Sequence, residues 1–316
     1  CGVCAAVCPS GALEAIAPTH EKLWELIETR VKEPAPVAFA CQRYLGRKGA
    51  RTRAVPVSCV GRLDESILVR AVAAGAESVW LADGACAECP TKIGRAIAAQ
   101  SVQTANQLLQ AWNVRPRIEL ISDLPAETQT PVPAGGMSRR AFFKLLAPKR
   151  DAGRAAQAGS MAGDTHTPGQ PEPADTDETK KGTLPTRLPG KQRMLLSSLQ
   201  RLGKPAVTQI KSSLWAQFAF QESCTGCQMC AFFCPTGALT KIEQDGQVGV
   251  AFRPAYCTNC GLCQAVCYRN AVTLSCTVDL SQVLKDGTDT YLMQPAGARG
   301  QPGCPEEKFK RLFKTN

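Results

Sequence analysis

The chain has 316 residues, enough for two or three domains, and Lys plus Arg exceed Asp plus Glu by 37 − 27 = 10. No window approaches the roughly 20 apolar residues of a membrane span. Its 17 cysteines fall mostly at short, repeated spacings, which excludes a disulfide-stapled secreted scaffold and points to metal chemistry in a reducing compartment, the cytoplasm.

The first residues read Cys1-Gly-Val-Cys4-Ala-Ala-Val-Cys8-Pro9-Ser-Gly-Ala-Leu. The run Cys-x3-Cys-Pro-[Ser/Thr]-Gly-Ala-Leu recurs at Cys230–Leu239, inside a complete motif described below. Cys1, Cys4 and Cys8 therefore read as the second, third and fourth cysteines of such a motif, with the first expected three positions before Cys1. Residues 1–18 are expected to be the remnant of an N-terminal cluster-binding domain in an N-terminally truncated piece of a longer protein. Any signal peptide would lie upstream. A helical connector follows over 19–34: Thr19 is its cap, and Leu23, Trp24, Leu26 and Ile27 form an apolar face. Pro34 and Pro36 end it. Trp24 is expected to pack rather than to act.

Residues 35–124 form an α/β unit. Pro36–Cys41, Arg53–Cys59, Ser78–Ala82 and Arg117–Ile121 read as strands, and Asp64–Ala76 and Thr91–Trp112 as helices. Strands alternating with helices predict a small parallel sheet, and Pro56 places the second strand at its edge. Binding sites in open α/β sheets form at the carboxyl ends of strands. Cys41 and Cys59 end strands one and two, and Cys86 and Cys89 follow strand three. Four thiols would thus meet on one rim, facing the positive N-termini of the helices. That set suits a 2Fe-2S cluster or another metal such as zinc.

These residues also carry a resemblance. Cys59-Val-Gly61-Arg62-Leu-Asp64, Ala71-x2-Ala74-Gly75-Ala76-Glu77-x-Val79-Trp80 and Gly84-Ala-Cys86-x2-Cys89 resemble the delta subunit of methyl-viologen-reducing hydrogenase, or hydrogenase iron–sulfur subunit domain. The resemblance implies a 2Fe-2S cluster. It also implies electron transfer between hydrogenase or formate dehydrogenase and heterodisulfide reductase-type complexes. The chain departs from the family in having Gln42-Arg43-Tyr44 where a second cysteine is common, and Pro90 where a histidine is common.

Residues 125–212 turn to Pro, Ala, Gly, Thr and charge and are expected to be a flexible linker that lets one module reach different partners. Met137-Ser-Arg139-Arg140-Ala-Phe142-Phe143-Lys144 matches the twin-arginine pattern but lacks an apolar region behind it. The segment 138–150 reads instead as a basic amphipathic helix, suited to a partner, to packing on its own domain, or to peripheral membrane contact. A second such segment, Lys191–Leu202, places Met194, Leu195, Leu196, Leu199 and Leu202 on one side.

Residues 213–285 hold two copies of C-x2-C-x2-C-x3-C. In this motif three thiolates hold one cubane and the fourth reaches across to the other. Cys224, Cys227, Cys230 and Cys267 would hold one 4Fe-4S cluster, and Cys257, Cys260, Cys263 and Cys234 the second. Paired zinc knuckles do not require two matched quartets. The strand–helix–strand–strand–helix–strand order, with Asp245-Gly246 turning a hairpin, resembles the bacterial two-cluster ferredoxin. Tyr268 stands where that family usually has proline. Cys276 reads as a buried strand thiol, Cys304 as a free one, and residues 286–316 as a tail.

The expected architecture is thus α/β plus α+β: a central parallel sheet, a ferredoxin-like domain after it and a partial one before it. Three clusters of roughly −2 each would lower the charge balance to about +4, so nucleic acid is not an expected partner. No nucleotide or flavin fingerprint, Ser/His/Asp set or carboxylate pair stands out, and His20 and His166 do not make a Rieske centre. No catalytic residue is assigned. The chain reads as a non-catalytic subunit passing electrons among hydrogenase, formate dehydrogenase or heterodisulfide reductase-like partners, with a further 4Fe-4S cluster at the N-terminus of the full-length protein. The alternatives are the C-terminal part of a flavin- or molybdenum-containing oxidoreductase, and a zinc- or thiol-based redox-sensing or assembly protein.

Overall fold

The computed structural model describes residues 1–16, 18–32, 36–48, 52–115, 118–125, 128, 186–285 and 287–295. The segment 138–150, His166 and Cys304 lie outside them. A short helix α1 (Val3–Val7) is followed by α2 (His20–Val31), which Thr19 caps by accepting from the Lys22 amide at 3.2 Å. Next come β1 (Val37–Cys41), α3 (Gln42–Lys48), β2 (Val55–Val57), a 3₁₀ turn (Val60–Arg62), α4 (Glu65–Ala73), β3 (Val79–Ala82), α5 (Ile93–Ala111) and β4 (Ile118–Ile121).

The four strands form one parallel sheet in the order β2-β1-β3-β4. β2 is the edge strand and Pro56, its exposed middle residue, removes no ladder bond from the interior. The strand order reverses between β1 and β3, so the crevice of the fold opens beyond Cys41 and Ala82. One face buries Val37, Phe39, Val79 and Leu81 with Ile67 and Leu68 of α4 and Leu108 of α5. The other presents Ala38, Ala40 and Ala82 to Tyr44 and Leu124.

Residues 186–212, expected as linker, are folded. Helix α6 (Gly190–Arg201) buries Met194, Leu195 and Leu199 in the core of the parallel-sheet domain. The apolar stripe legible in its sequence therefore packs on the chain's own domain. Trp215, Val278, Leu280 and Val283 enter the same core. Residues of both modules thus share this core.

The C-terminal module runs β5 (Gln209–Lys211), β6 (Gln217–Phe220), α7 (Met229–Phe232), β7 (Leu239–Gln244), β8 (Gln247–Phe252), α8 (Leu262–Ala265), β9 (Val272–Ser275), β10 (Thr277–Asp279), α9 (Leu280–Leu284) and β11 (Asp289–Pro295). β6 pairs antiparallel with β9, and β7 with β8 across Asp245 and Gly246, both at positive φ as a tight hairpin turn needs. Two sequence expectations are corrected. Residues 289–295 are not a tail but a strand on the outer edge of β8. Cys276 is exposed, not buried, because the chain bends there to leave β6 and pair β10 with β5.

Candidate metal centres

The eight C-terminal cysteines gather around two cavities. One is lined by Cys224, Cys227, Cys230 and Cys267; the other by Cys234, Cys257, Cys260 and Cys263. Each thus takes three thiols from one repeat and the fourth from the other. Burial, then the Cys257 and Cys234 charges, raises the pKa of Cys263, and burial with the Cys267 charge raises that of Cys224; Cys230 feels Cys227 and Cys224 and, from the other quartet, Cys263. Burial pushes Cys230 and Cys263 up to about 12, so without metal both are neutral thiols. Among the described residues no three Cys, His, Asp or Glu side chains converge as ligands of a single ion. Two interleaved rings of four thiols, each completed by the other repeat, suit a pair of polyatomic clusters.

The backbone prepares these cavities for an anion. The residue after the second cysteine of each repeat, Gln228 (φ 57°) or Gly261 (φ 74°), is left-handed and starts a short helix carrying the third. The residue three places after the fourth cysteine, Gly237 (φ 70°) or Asn270 (φ 52°), is left-handed too. Such alternations turn successive N–H groups into one concavity, a recurrent anion nest. The Gln228 side chain ties its loop to the hairpin, donating Nε2 to the carbonyls of Ile242 (2.9 Å) and Gly249 (2.7 Å).

The N-terminal segment repeats this backbone. Gly2 (φ 81°) follows Cys1 and starts α1, which carries Cys4; Gly11 (φ 68°) lies three places after Cys8. Ser10 Oγ is 3.6 Å from Cys8 Sγ, as Thr236 Oγ1 is 3.7 Å from Cys234 Sγ. Burial opposes ionisation of Cys8, but hydrogen bonds from the Ser10 side chain and from the Leu13, Ala12 and Ser10 backbone outweigh it and hold the thiol below its usual range.

In the central domain Cys41, Cys59, Cys86 and Cys89 also come together. Burial pushes Cys86 up to about 11, reinforced by Cys41, Cys59 and Cys89. Burial likewise raises Cys59, helped by Cys41 and Cys89. Cys89, less buried, is lowered, first by the Thr91 backbone and also by Arg43. The 3₁₀ turn after Cys59 crosses the start of α5 so closely that only glycines fit. A Cβ on Gly61 would stand 2.5 Å from the Gly94 carbonyl oxygen, and one on Gly94 2.5 Å from Cys59 Sγ. The N-terminus of α5 therefore abuts Cys59, with its positive dipole end toward the rim.

Several links between these centres were not legible in the sequence. Ser58 Oγ donates to the Cys1 carbonyl at 3.0 Å, joining the central rim to the N-terminal loop. In α6, Lys191 Nζ donates to the Ala6 carbonyl at 2.8 Å, while Gln192 Nε2 donates to the Ala255 carbonyl at 3.2 Å, beside the loop of Cys257. Residues 186–189 lie between the two Cys-Pro-[Ser/Thr]-Gly loops, Pro189 against Gly11 and Thr186 against Gly237. A polar cavity lined by Glu65, Thr104, Lys191, Ser213 and Thr258 opens at this junction. The spacing of Lys191 and Gln192 gives no sign of their long-range partners. The capping role of Asp64 was legible: it accepts from the amides of Ser66 and Ile67. Its second partner, His20 Nε2 at 2.8 Å, was not.

Nested thiol quartets beside a parallel-sheet domain define an iron–sulfur electron-transfer protein. Residues 223–271 match the family model of the 4Fe-4S dicluster domain, and residues 47–131 match that of the methyl-viologen-reducing hydrogenase, delta subunit. The chain therefore joins a hydrogenase delta-subunit domain to a 4Fe-4S dicluster domain. The second match begins after Cys41. Over 54 residues the chain is 37% identical to the pyruvate synthase subunit PorD of Thermotoga maritima, covering 17% of this chain and 52% of that protein. The chain thus spans about half the length of this curated relative. Among the described residues no helix is long and apolar enough to cross a membrane.

Proposed function

We propose that this chain relays low-potential electrons between subunits of a redox-enzyme complex, of the hydrogenase, formate dehydrogenase or heterodisulfide reductase-like kind. The observation that carries this reading is the sorting of eight thiols into two cavities, each completed by a cysteine from the other repeat. Cys224, Cys227, Cys230 and Cys267 would hold one 4Fe-4S cluster, and Cys257, Cys260, Cys263 and Cys234 the other. Bound clusters supply one-electron chemistry; the chain's residues hold the thiolates, exclude water and offer backbone N–H groups to the sulfur. Complete quartets leave no iron site open to substrate, which suits a conductor rather than a catalyst.

Cys41, Cys59, Cys86 and Cys89 suit a 2Fe-2S cluster on the sheet rim, and Cys1, Cys4 and Cys8 part of a further 4Fe-4S ligand set in the full-length protein. The recurrence of the left-handed positions at Gly2 and Gly11 supports the latter. On this reading the N-terminal loop lies between the central rim and the Cys234/Cys257 quartet, and the Cys224 quartet is the outer end. The similarity to a pyruvate synthase subunit adds that enzyme class to the candidate partners. The cytoplasm suits thiols kept for metal.

Anaerobically purified protein should hold about eight irons in its C-terminal domain and about two in its central domain, as the quartets require. In EPR, Cys59→Ser or Cys86→Ser should remove one signal and leave the cubane signals intact. Zinc with no reducible signal from residues 36–124 would sink the central cluster. A C-terminal domain without iron would sink the relay.

A further inference from the structure

Arg62 is fully buried, yet neither Nε nor Nη1 has a hydrogen-bond partner among the described residues. Only Nη2 is used, donating to the Pro18 carbonyl. The side chain lies across the backbone of Gly2: a Cβ there would stand 2.8 Å from Arg62 Cδ and 3.2 Å from Nε. Gly2 sits between Cys1 and Cys4, and Arg62 follows Cys59 by three residues. One guanidinium is thus set between the N-terminal cysteine loop and the central rim.

The nearby acids do not use it. Asp64 and Glu21 feel its charge, but no hydrogen bond joins either to it. Asp64 is engaged by His20, by the Ser66 hydroxyl and by the amides that it caps. Leaving a buried donor unpaired is costly, and buried cations persist when an anion meets them. The left-handed turn at Gly2 favours an anion on the adjoining backbone, so an anion held there would lie beside the guanidinium charge.

We propose that Arg62 is the counter-cation of the iron–sulfur cluster held by Cys1 and Cys4, acting through its buried charge beside Gly2, and that it raises that cluster's reduction potential. This rests on the reading of the N-terminal cysteines as cluster ligands. A fixed positive charge favours the reduced form, which carries one more electron. Arg62 is a positioning and tuning residue here, not a ligand.

The test is an EPR-monitored redox titration of the full-length protein. Cys4→Ser first identifies the N-terminal signal by its loss. Arg62→Met should then lower the potential of that signal by at least a tenfold change in its reduced-to-oxidised ratio, or about 59 mV for one electron. Signals assigned by Cys230→Ser and Cys263→Ser should not move. Arg62→Lys, which keeps the charge, should recover most of the shift. Loss of the N-terminal cluster alone in Arg62→Met, with its retention in Arg62→Lys, also supports the proposal, because the charge separates the two variants. An unmoved N-terminal potential, an equal shift in every cluster, or loss of the cluster in both variants makes Arg62 a packing residue and overturns it. If Cys4→Ser removes no signal, the N-terminal cluster itself is wrong, and the role of Arg62 falls with it.

Discussion

Glu65 shows how one side chain registers the crowding between modules. It is the first residue of α4, beside the capping carboxylate of Asp64, and it faces the junction cavity rather than bulk water. Burial, with the Asp64 charge behind it, pushes its carboxyl up to about 7, and Lys191 only partly offsets this. The folded protein therefore keeps that proton to about pH 7, whereas the unfolded chain releases it near 4.5. Between those values the unfolded state binds fewer protons, so this group makes stability fall as pH rises. Glu65→Gln should remove that fall and raise stability at pH 8 by on the order of 1–3 kcal/mol, given about 1.4 kcal/mol per pKa unit. Urea unfolding at pH 5 and pH 8 checks it: a Gln variant that keeps the wild-type pH slope would contradict the assignment. Asp64 shows the opposite balance. Burial alone would raise its carboxyl, but hydrogen bonds from His20 and Ser66 hold it below the usual range.

At the scale of elements, the central rim depends on one crossing: the 3₁₀ turn Val60–Arg62 against the first turn of α5. The crossing brings the helix N-terminus to Cys59 only because neither Gly61 nor Gly94 carries a side chain. Gly94→Ala should therefore displace Cys59 and cost about 1–3 kcal/mol, the usual range for overpacking. Its metal content should fall by the share of the central domain while the C-terminal cubane signals stay. Iron analysis and EPR on the Ala variant test this, and a full central signal would show that the turn can yield. The two short cluster helices depend instead on left-handed residues at their starts. Gln228 bears a side chain at such a position, and its two hydrogen bonds to the hairpin accompany that less favoured backbone.

For the whole molecule, the main consequence is that the modules share a core. Helix α6 packs on α4, and Trp215 and Val283 from the C-terminal side join the same cluster. Leu195 lies at this meeting point and is almost fully buried. Leu195→Ala should cost about 2–5 kcal/mol, as cavity-forming core substitutions do. It should lower the unfolding midpoints of both modules together. Two separate transitions, with only one shifted, would mean that the modules fold independently. A shared core also holds the candidate redox centres at set separations, which a relay needs more than it needs reach.

Much of this was legible before any fold was known. The eight C-terminal cysteines line two cavities in the grouping that their short, repeated spacing led one to expect. The strands and helices around Cys41, Cys59 and Cys86 followed from hydrophobic period and capping residues such as Asp64, and Pro56 marked an edge because proline has no amide hydrogen to give. The role of residues 186–212 was misjudged because composition does not reveal which surface an amphipathic stripe will meet. Cys276 was misplaced because a strand that changes partners looks continuous in sequence. Local chemistry, in which a few neighbouring residues must satisfy one constraint, can be read along the chain. The contacts of Arg62 with Gly2, Gln192 with Ala255 and Glu65 with the junction cavity join residues 60 or more apart or depend on such joins, and only tertiary packing brings them together.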